Sequence, residues 1–163
     1  MRNRYEIRAA RTQDVPVLWT MLMYAAHESS VAVVKTNPDL ARYVRGWGKA
    51  GAVGAIAEQS GTAVGAAWLC LWSSDNKGYG YVSDEIPELA IAVLPAFRAQ
   101  GIGTALLKQV LAMAQNHFPA VSLSIRVDNP ALRLYERTAF VLVPKSEVTN
   151  RTGSVSATMV CRF

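Results

Sequence analysis

The segment from Glu88 to Leu107, Glu-Leu-Ala-Ile-Ala-Val-Leu-Pro-Ala-Phe-Arg-Ala-Gln-Gly-Ile-Gly-Thr-Ala-Leu-Leu, limits the folds open to this chain more than any other. A strand-like run, Leu89 to Leu94, stops at Pro95, which has no amide N–H to give to a sheet ladder. A short basic turn with Arg98, Gly101 and Gly103 follows, and an apolar-periodic segment begins at once. Strand, glycine turn and helix in this order expose unpaired backbone N–H groups at the positive end of a helix dipole, which is a phosphate-binding arrangement. Glycine allows the backbone to approach an oxyanion closely and to take conformations that a β-carbon disfavours.

The dinucleotide fingerprint G-x-G-x-x-G does not fit, because Leu106 stands where the third glycine belongs. The nucleotide P-loop does not fit either, because Gly103-Thr104 lacks the lysine. What remains is Arg98-x-x-Gly101-x-Gly103. With the preceding strand, the Val93-x-Pro95 turn and the Ala-Leu-Leu opening of the helix, it resembles the pyrophosphate-binding signature of the GCN5-related N-acetyltransferases, the GNAT family. The resemblance implies that acetyl-CoA is the cosubstrate. The amides of Arg98, Ala99, Gln100, Gly101, Ile102, Gly103 and Thr104 would then hold its pyrophosphate, with Arg98 adding charge. Leu89, Ala90, Ile91, Ala92 and Val93 would belong to the same cofactor site, Val93 offering its N–H or C=O to the pantetheine arm. Ala99 stands where glycine is common in the family, a departure expected to be harmless.

A second stretch, Asn129 to Phe140, is similar to the family's Asn…Leu-Tyr-Glu-x-x-Gly-Phe motif. The resemblance implies that Tyr135 donates a proton or a hydrogen bond to the departing sulfur, and that Asn129 and Ala131 contact the cofactor. A tyrosine hydroxyl is protonated at neutral pH and able to donate. Read from the residues alone, Tyr135 also fits a packed ring with a wet hydroxyl, and Asn129 before Pro130 fits a helix cap. The chain has Ala139-Phe140 where the family has Gly-Phe. A left-handed alanine costs on the order of 1 kcal/mol, so the turn is expected to close differently. Glu88 is the candidate base for the attacking amine, and it is equally an ordinary strand-end glutamate; Asp84, Glu85 and His27 are rivals. Amine attack on a thioester requires no covalent enzyme intermediate, and positioning supplies much of the rate.

The rest of the chain is consistent with this. The length of 163 residues suits a single domain, here a single N-acetyltransferase domain over 1–163. No apolar run reaches the roughly 18–20 residues that cross a bilayer. Met1-Arg-Asn-Arg-Tyr-Glu leads into a charged segment without the apolar region of a secretory signal. The cysteines, Cys70 and Cys161, have no metal or redox spacing and read as buried thiols of a cytoplasmic protein. No metal site is expected. The net charge of +5 favours a polyanionic ligand such as coenzyme A. The scattered lysines and arginines argue against nucleic-acid binding.

Strands are expected over Tyr5–Ala9, Ala52–Glu58, Ala63–Trp72, Glu88–Leu94, Val121–Val127, Phe140–Val143 and Ser154–Phe163. Helices are expected from a Thr12 cap to about His27, from Pro38 to Gly46 or Gly48, over Gly103–His117, and from Asn129-Pro130 to about Thr138. Ser29–Asn37 reads as a connection and Gln59-Ser-Gly-Thr62 as a hairpin turn. The order points to an α/β fold with a mixed parallel and antiparallel sheet of about seven strands and about four helices. The GNAT fold implied by the resemblance has this order. The resemblance implies substrate choice in the first two helices and the loop before the motif strand, which carry Tyr24, His27, Glu28, Tyr43, Trp47, Trp72, Tyr79 and Tyr81. The function expected is N-acetylation of a primary amine of a small molecule or peptide, by direct attack on the thioester. The alternative is a non-catalytic acyl-CoA-binding sensor or interaction module. Homodimers are common among such proteins, though no residue here shows one.

Overall fold

A computed structural model describes residues 4–149 and 153–163. In chain order it contains β1 (Glu6–Ala9), α1 (Val15–Ala25), α2 (Val31–Thr36), α3 (Pro38–Ala41), β2 (Gly54–Gln59), β3 (Thr62–Cys70), β4 (Glu88–Val93), α4 (Ile102–Ala114), β5 (Ala120–Arg126), α5 (Leu132–Arg137), β6 (Val141–Leu142), β7 (Val148–Thr149) and β8 (Val155–Arg162). Among the described residues this is eight strands and five helices, one more of each than the sequence suggested. The chain divides into two compact units, Met1–Cys70 with Ala90–Met113, and Leu71–Leu89 with Ala114–Phe163. Residues 1–3, read above for a leader signal, and 150–152 of the polar loop before the last strand lie outside the described residues.

In the first unit β1 pairs antiparallel with β2, and β2 with β3. The β2–β3 turn is Ser60-Gly61 with φ of 52° and 78°, the paired positive values that match strand twist in a two-residue hairpin. The end of β4 runs beside β3, where the Leu94 N–H donates to the Val64 carbonyl at 2.8 Å. Leu106, Leu107 and Val110 of α4 are fully buried, at the spacing of one helical face. Gly65 makes room for this helix: a Cβ there would lie 3.1 Å from Leu106 Cδ1 and 3.2 Å from the Ala92 carbonyl. Arg8 clamps the start of the unit. Its guanidinium holds Asp14 through two bonds of 2.7 and 2.8 Å and reaches Glu58 at 2.7 Å, while Asp14 also accepts the Arg11 N–H at 2.7 Å.

Asp14, rather than Thr12, therefore organises the entry to α1; the Thr12 hydroxyl donates instead to the Gly48 carbonyl. Residues 29–37 are not a plain connection. Ser30 accepts the Val33 N–H and caps α2, a single short helix rich in β-branched residues. The following helix is only α3, four residues capped by Asn37, and Gly46 and Gly48 continue as positive-φ turns.

In the second unit the start of β4 pairs parallel to β5, Glu88 opposite Ser122. β5 and β8 pair antiparallel from Ala120↔Arg162 to Arg126↔Ser156, and β6 and β7 both pair with β8. Parallel and antiparallel pairs thus share one strand, β5. Val121, Leu123 and Ile125 are buried as the alternation predicts, but β5 ends at Arg126 and Val127 is 42% exposed. β7 lies in the stretch read as loop, and Tyr79–Pro87 forms no strand.

Candidate active site

The residues assigned to the pyrophosphate lie between β4 and α4 in the first unit. Ala99 has φ of 60° and Gly101 φ of 81°. Left-handed residues in a short turn rotate successive N–H groups toward one concave side, forming a nest for an anion. The backbone N–H groups of residues 99–104 donate to no acceptor among the described residues; the first closing bond of α4 is Ala105 N–H to the Gly101 carbonyl, 3.0 Å. Six consecutive unpaired donors at a helix N-terminus suit a pyrophosphate in number, charge and exposure.

Ala99, the departure from glycine expected to be harmless, takes a left-handed conformation. A β-carbon in a left-handed conformation costs roughly 1–2 kcal/mol. At Gly101 the positive φ, not crowding, requires glycine, since an added Cβ would meet only the Tyr5 hydroxyl at 3.7 Å. That hydroxyl donates to the Gly101 carbonyl at 3.3 Å and ties the loop to the residue before β1. Arg98 turns back, and its Nε donates to the Val93 carbonyl at 3.1 Å. Val93 therefore has a carbonyl already accepting one bond, with its second lone pair remaining. Leu89 and Ala90 are core residues, and exposure begins at Ile91.

The second group of residues belongs to the second unit. Tyr135 is 9% exposed, and its hydroxyl makes no hydrogen bond with a described residue. Burial pushes its pKa up to about 12. Its ring meets Phe140 edge-on, with centroids 5.8 Å apart. Asn129 Oδ1 accepts the Ala131 N–H at 2.9 Å, a turn two residues long that leads into α5. Asn129 is thus not the residue bordering the helix; Ala131 is.

After α5 the chain does pass through a left-handed alanine. Ala139 has φ of 72°, so the turn does not close differently from the family's Gly-Phe. The Thr138 N–H and hydroxyl both bond to Leu134 and Tyr135 carbonyls, and the Phe140 N–H reaches the Tyr135 carbonyl at 3.0 Å. These bonds hold the backbone in place despite the missing glycine.

Glu88 opens β4 and is 3% exposed. Its Oε1 accepts the Trp72 indole N–H at 2.8 Å. Sequence reading assigned Trp72 to substrate choice and missed its link to Glu88, together with Gly78, Gly80 and Ser122 around it; the only sequence signal was the Gly-Tyr-Gly-Tyr run at 78–81. Two other aromatics proposed for substrate choice are packed or bonded within the first unit. Tyr43 is buried and its carbonyl accepts the Trp68 indole N–H, while Trp47 donates to the Leu69 carbonyl. Of the rival bases, Asp84 accepts the Tyr81 hydroxyl, and His27 sits exposed after α1 with φ of 57°. No group of three potential metal ligands occurs among the described residues, and no helix among them is long and apolar enough to cross a membrane.

The family model described as the acetyltransferase (GNAT) family matches residues 14–140. Among solved structures, a ribosomal-protein-alanine N-acetyltransferase from Brucella melitensis is similar, with TM-score 0.72 and 21% identity over 97% of this chain and 99% of that one. The ribosomal-protein-S18-alanine N-acetyltransferase of Escherichia coli aligns with TM-score 0.68 and 19% identity, over 97% and 93% of the two chains. A GNAT family acetyltransferase from Elizabethkingia anophelis with acetyl-CoA bound aligns with TM-score 0.67 and 17% identity, over 99% and 100%. No curated protein matches the sequence. The glycine turn, the mixed sheet and the match along most of its length make this chain a member of the GNAT acetyltransferase family.

Proposed function

We propose that the protein, acting as one domain, transfers the acetyl group of acetyl-CoA to a primary amine of a small molecule or peptide. The observation that carries this reading is the run of amides from 99 to 104, at the entry to α4, that find no acceptor among the described residues. The loop holds the pyrophosphate, and Arg98 keeps the end of β4 and the loop together. The cosubstrate supplies a thioester that is already activated, so the protein's task is to orient, to handle one proton and to ease the departure of sulfur.

As the amine nitrogen bonds to the carbonyl carbon, the C–S bond breaks and its electron pair stays on sulfur. The amine's proton goes to Glu88, and the carboxylate's burial favours relay through a water over direct contact. A phenol held at about 12 is a poor acid toward a thiolate whose own pKa is near 8.5. Tyr135 therefore donates a hydrogen bond to the sulfur, and solvent supplies the proton that completes the thiol. Asn129 and Ala131 shape the turn that presents α5. Cys70 and Cys161, both buried and neither in a disulfide, suit a cytoplasmic protein.

The test is acetyl transfer from acetyl-CoA to a panel of amino acids, polyamines, aminoglycosides and N-terminal peptides, read by mass. Two structural relatives are named as ribosomal-protein-alanine N-acetyltransferases, so alanine-terminated peptides come first in the panel. An acetylated amine is expected. Acetyl-CoA binding with no acetylated product would instead indicate the non-catalytic binder.

A further inference from the structure

Among the described residues Asp14 and Glu88 are the buried carboxylates. Asp14 is gripped by the Arg8 guanidinium, whose two hydrogen bonds hold its carboxyl below the usual carboxylate range. A carboxylate locked against a fixed positive charge is a brace and a poor proton acceptor. At Glu88 the indole N–H of Trp72 donates to Oε1 from 2.8 Å away. An indole N–H orients the oxygen it binds, and it has no acceptor capacity of its own.

The backbone of residues 78–80 closes around this pair. A Cβ on Gly78 would lie 2.2 Å from Trp72 Nε1 and 2.6 Å from Glu88 Oε1. A Cβ on Gly80 would lie 2.9 Å from Glu88 Cδ and 2.8 Å from the Leu123 carbonyl carbon. A side chain at either position would force these neighbours to shift. The segment is tied down by Ser122, opposite Glu88 in the parallel pairing, whose hydroxyl donates to the Gly80 carbonyl at 2.6 Å.

We infer that Trp72 is a positioning residue for the Glu88 carboxylate, with the Gly78–Gly80 backbone closing the same clamp. The inference rests on the reading of Glu88 as proton acceptor. The indole fixes the orientation of Oε1, and the glycine backbone keeps bulk water from competing for it. Proton acceptance by Glu88 therefore depends on a residue that takes no part in the chemistry itself.

The test has two arms. In the first, Glu88 is labelled with a water-soluble carbodiimide and glycine ethyl ester and read by peptide mass. Trp72→Phe keeps a ring in place but loses the N–H, and it should raise the Glu88 labelling rate about fivefold or more. Ser122→Ala, which removes one hydroxyl and little volume, should raise it by a smaller factor. Labelling equal to the wild type in both variants overturns the clamp. In the second arm, kcat and KM are compared for Trp72→Phe, Glu88→Gln and the double variant, with any panel amine that is acetylated. Trp72→Phe should lower kcat about tenfold with KM for acetyl-CoA unchanged, and it should add less than about twofold on top of Glu88→Gln. A full additional loss in the double variant overturns the positioning role. Full activity of Glu88→Gln overturns the proton-acceptor reading instead, and the labelling arm then still decides whether the clamp exists.

Discussion

Two turns in this protein place an alanine in a left-handed conformation, Ala99 at φ 60° and Ala139 at φ 72°, and they use it for opposite purposes. After Ala139 the backbone donors are consumed: Thr138, Ala139 and Phe140 all donate to carbonyls of the last turn of α5. After Ala99 none of the donors from 99 to 104 is used by a described residue. The same local strain closes a helix in one place and in the other precedes a helix whose first amides have no acceptor among the described residues. The difference teaches that positive φ alone does not mark a ligand site. What marks it is where the N–H groups go afterwards.

Predictions can test this contrast in descending order of effect. The largest concerns the frame of the first region. Removing the Asp14 carboxylate leaves Arg8 paired with Glu58 and takes the acceptor from the Arg11 N–H, so Asp14→Ala should destabilise the protein by about 1–3 kcal/mol in chemical denaturation. The same pair sets a pH dependence. The hydrogen bonds from Arg8, which outweigh the opposing effect of burial, hold the Asp14 pKa below its ordinary 3.8. Its stabilisation is therefore complete above about pH 4 and is lost as pH falls through the depressed folded value. An Asp14→Asn variant should show a shallower loss of stability in acid than the wild type; an unchanged acid limb would remove Asp14 from the account.

Next come the two functional ends. Tyr135→Phe should lower kcat about ten- to hundredfold while leaving acetyl-CoA affinity within about twofold, by turnover and calorimetry. Gly101→Val should do the reverse in emphasis, because a β-branched residue at φ 81° strains the loop itself. Acetyl-CoA affinity should fall about tenfold or more, with circular dichroism unchanged.

The smallest effects separate the two turns most finely. Ala99→Gly and Ala139→Gly each relieve roughly 1 kcal/mol of strain, offset by about 0.4–1 kcal/mol of added chain entropy in the unfolded state. Both should change stability by no more than about 1 kcal/mol. Only Ala99→Gly should weaken acetyl-CoA, by about twofold, because it loosens a turn whose donors serve a ligand. Equal effects of the two changes on acetyl-CoA binding would erase the distinction.

The loop was readable from sequence because its signal is local: Pro95, Arg98, Gly101 and Gly103 act within a single turn. The β5 alternation and the α4 face were readable for the same reason. Ala99 and Ala139 were misread because alanine carries no signal for a left-handed backbone, and only the surrounding bonds hold it there. Val31–Thr36 was missed because β-branched residues argue against a helix and the Ser30 cap is one hydroxyl. The contact of Trp72 with Glu88 joins residues 16 apart across irregular chain, where no periodicity applies. The Arg8–Asp14–Glu58 cluster depends on strand register, which the sequence pattern does not specify.

Amide hydrogen exchange with and without acetyl-CoA tests the central claim most directly. The account predicts that acetyl-CoA protects the amides of residues 99–104, whose donors are unpaired without it, and leaves those of Thr138, Ala139 and Phe140 unchanged. Acetyl-CoA binding without protection at 99–104 would contradict it.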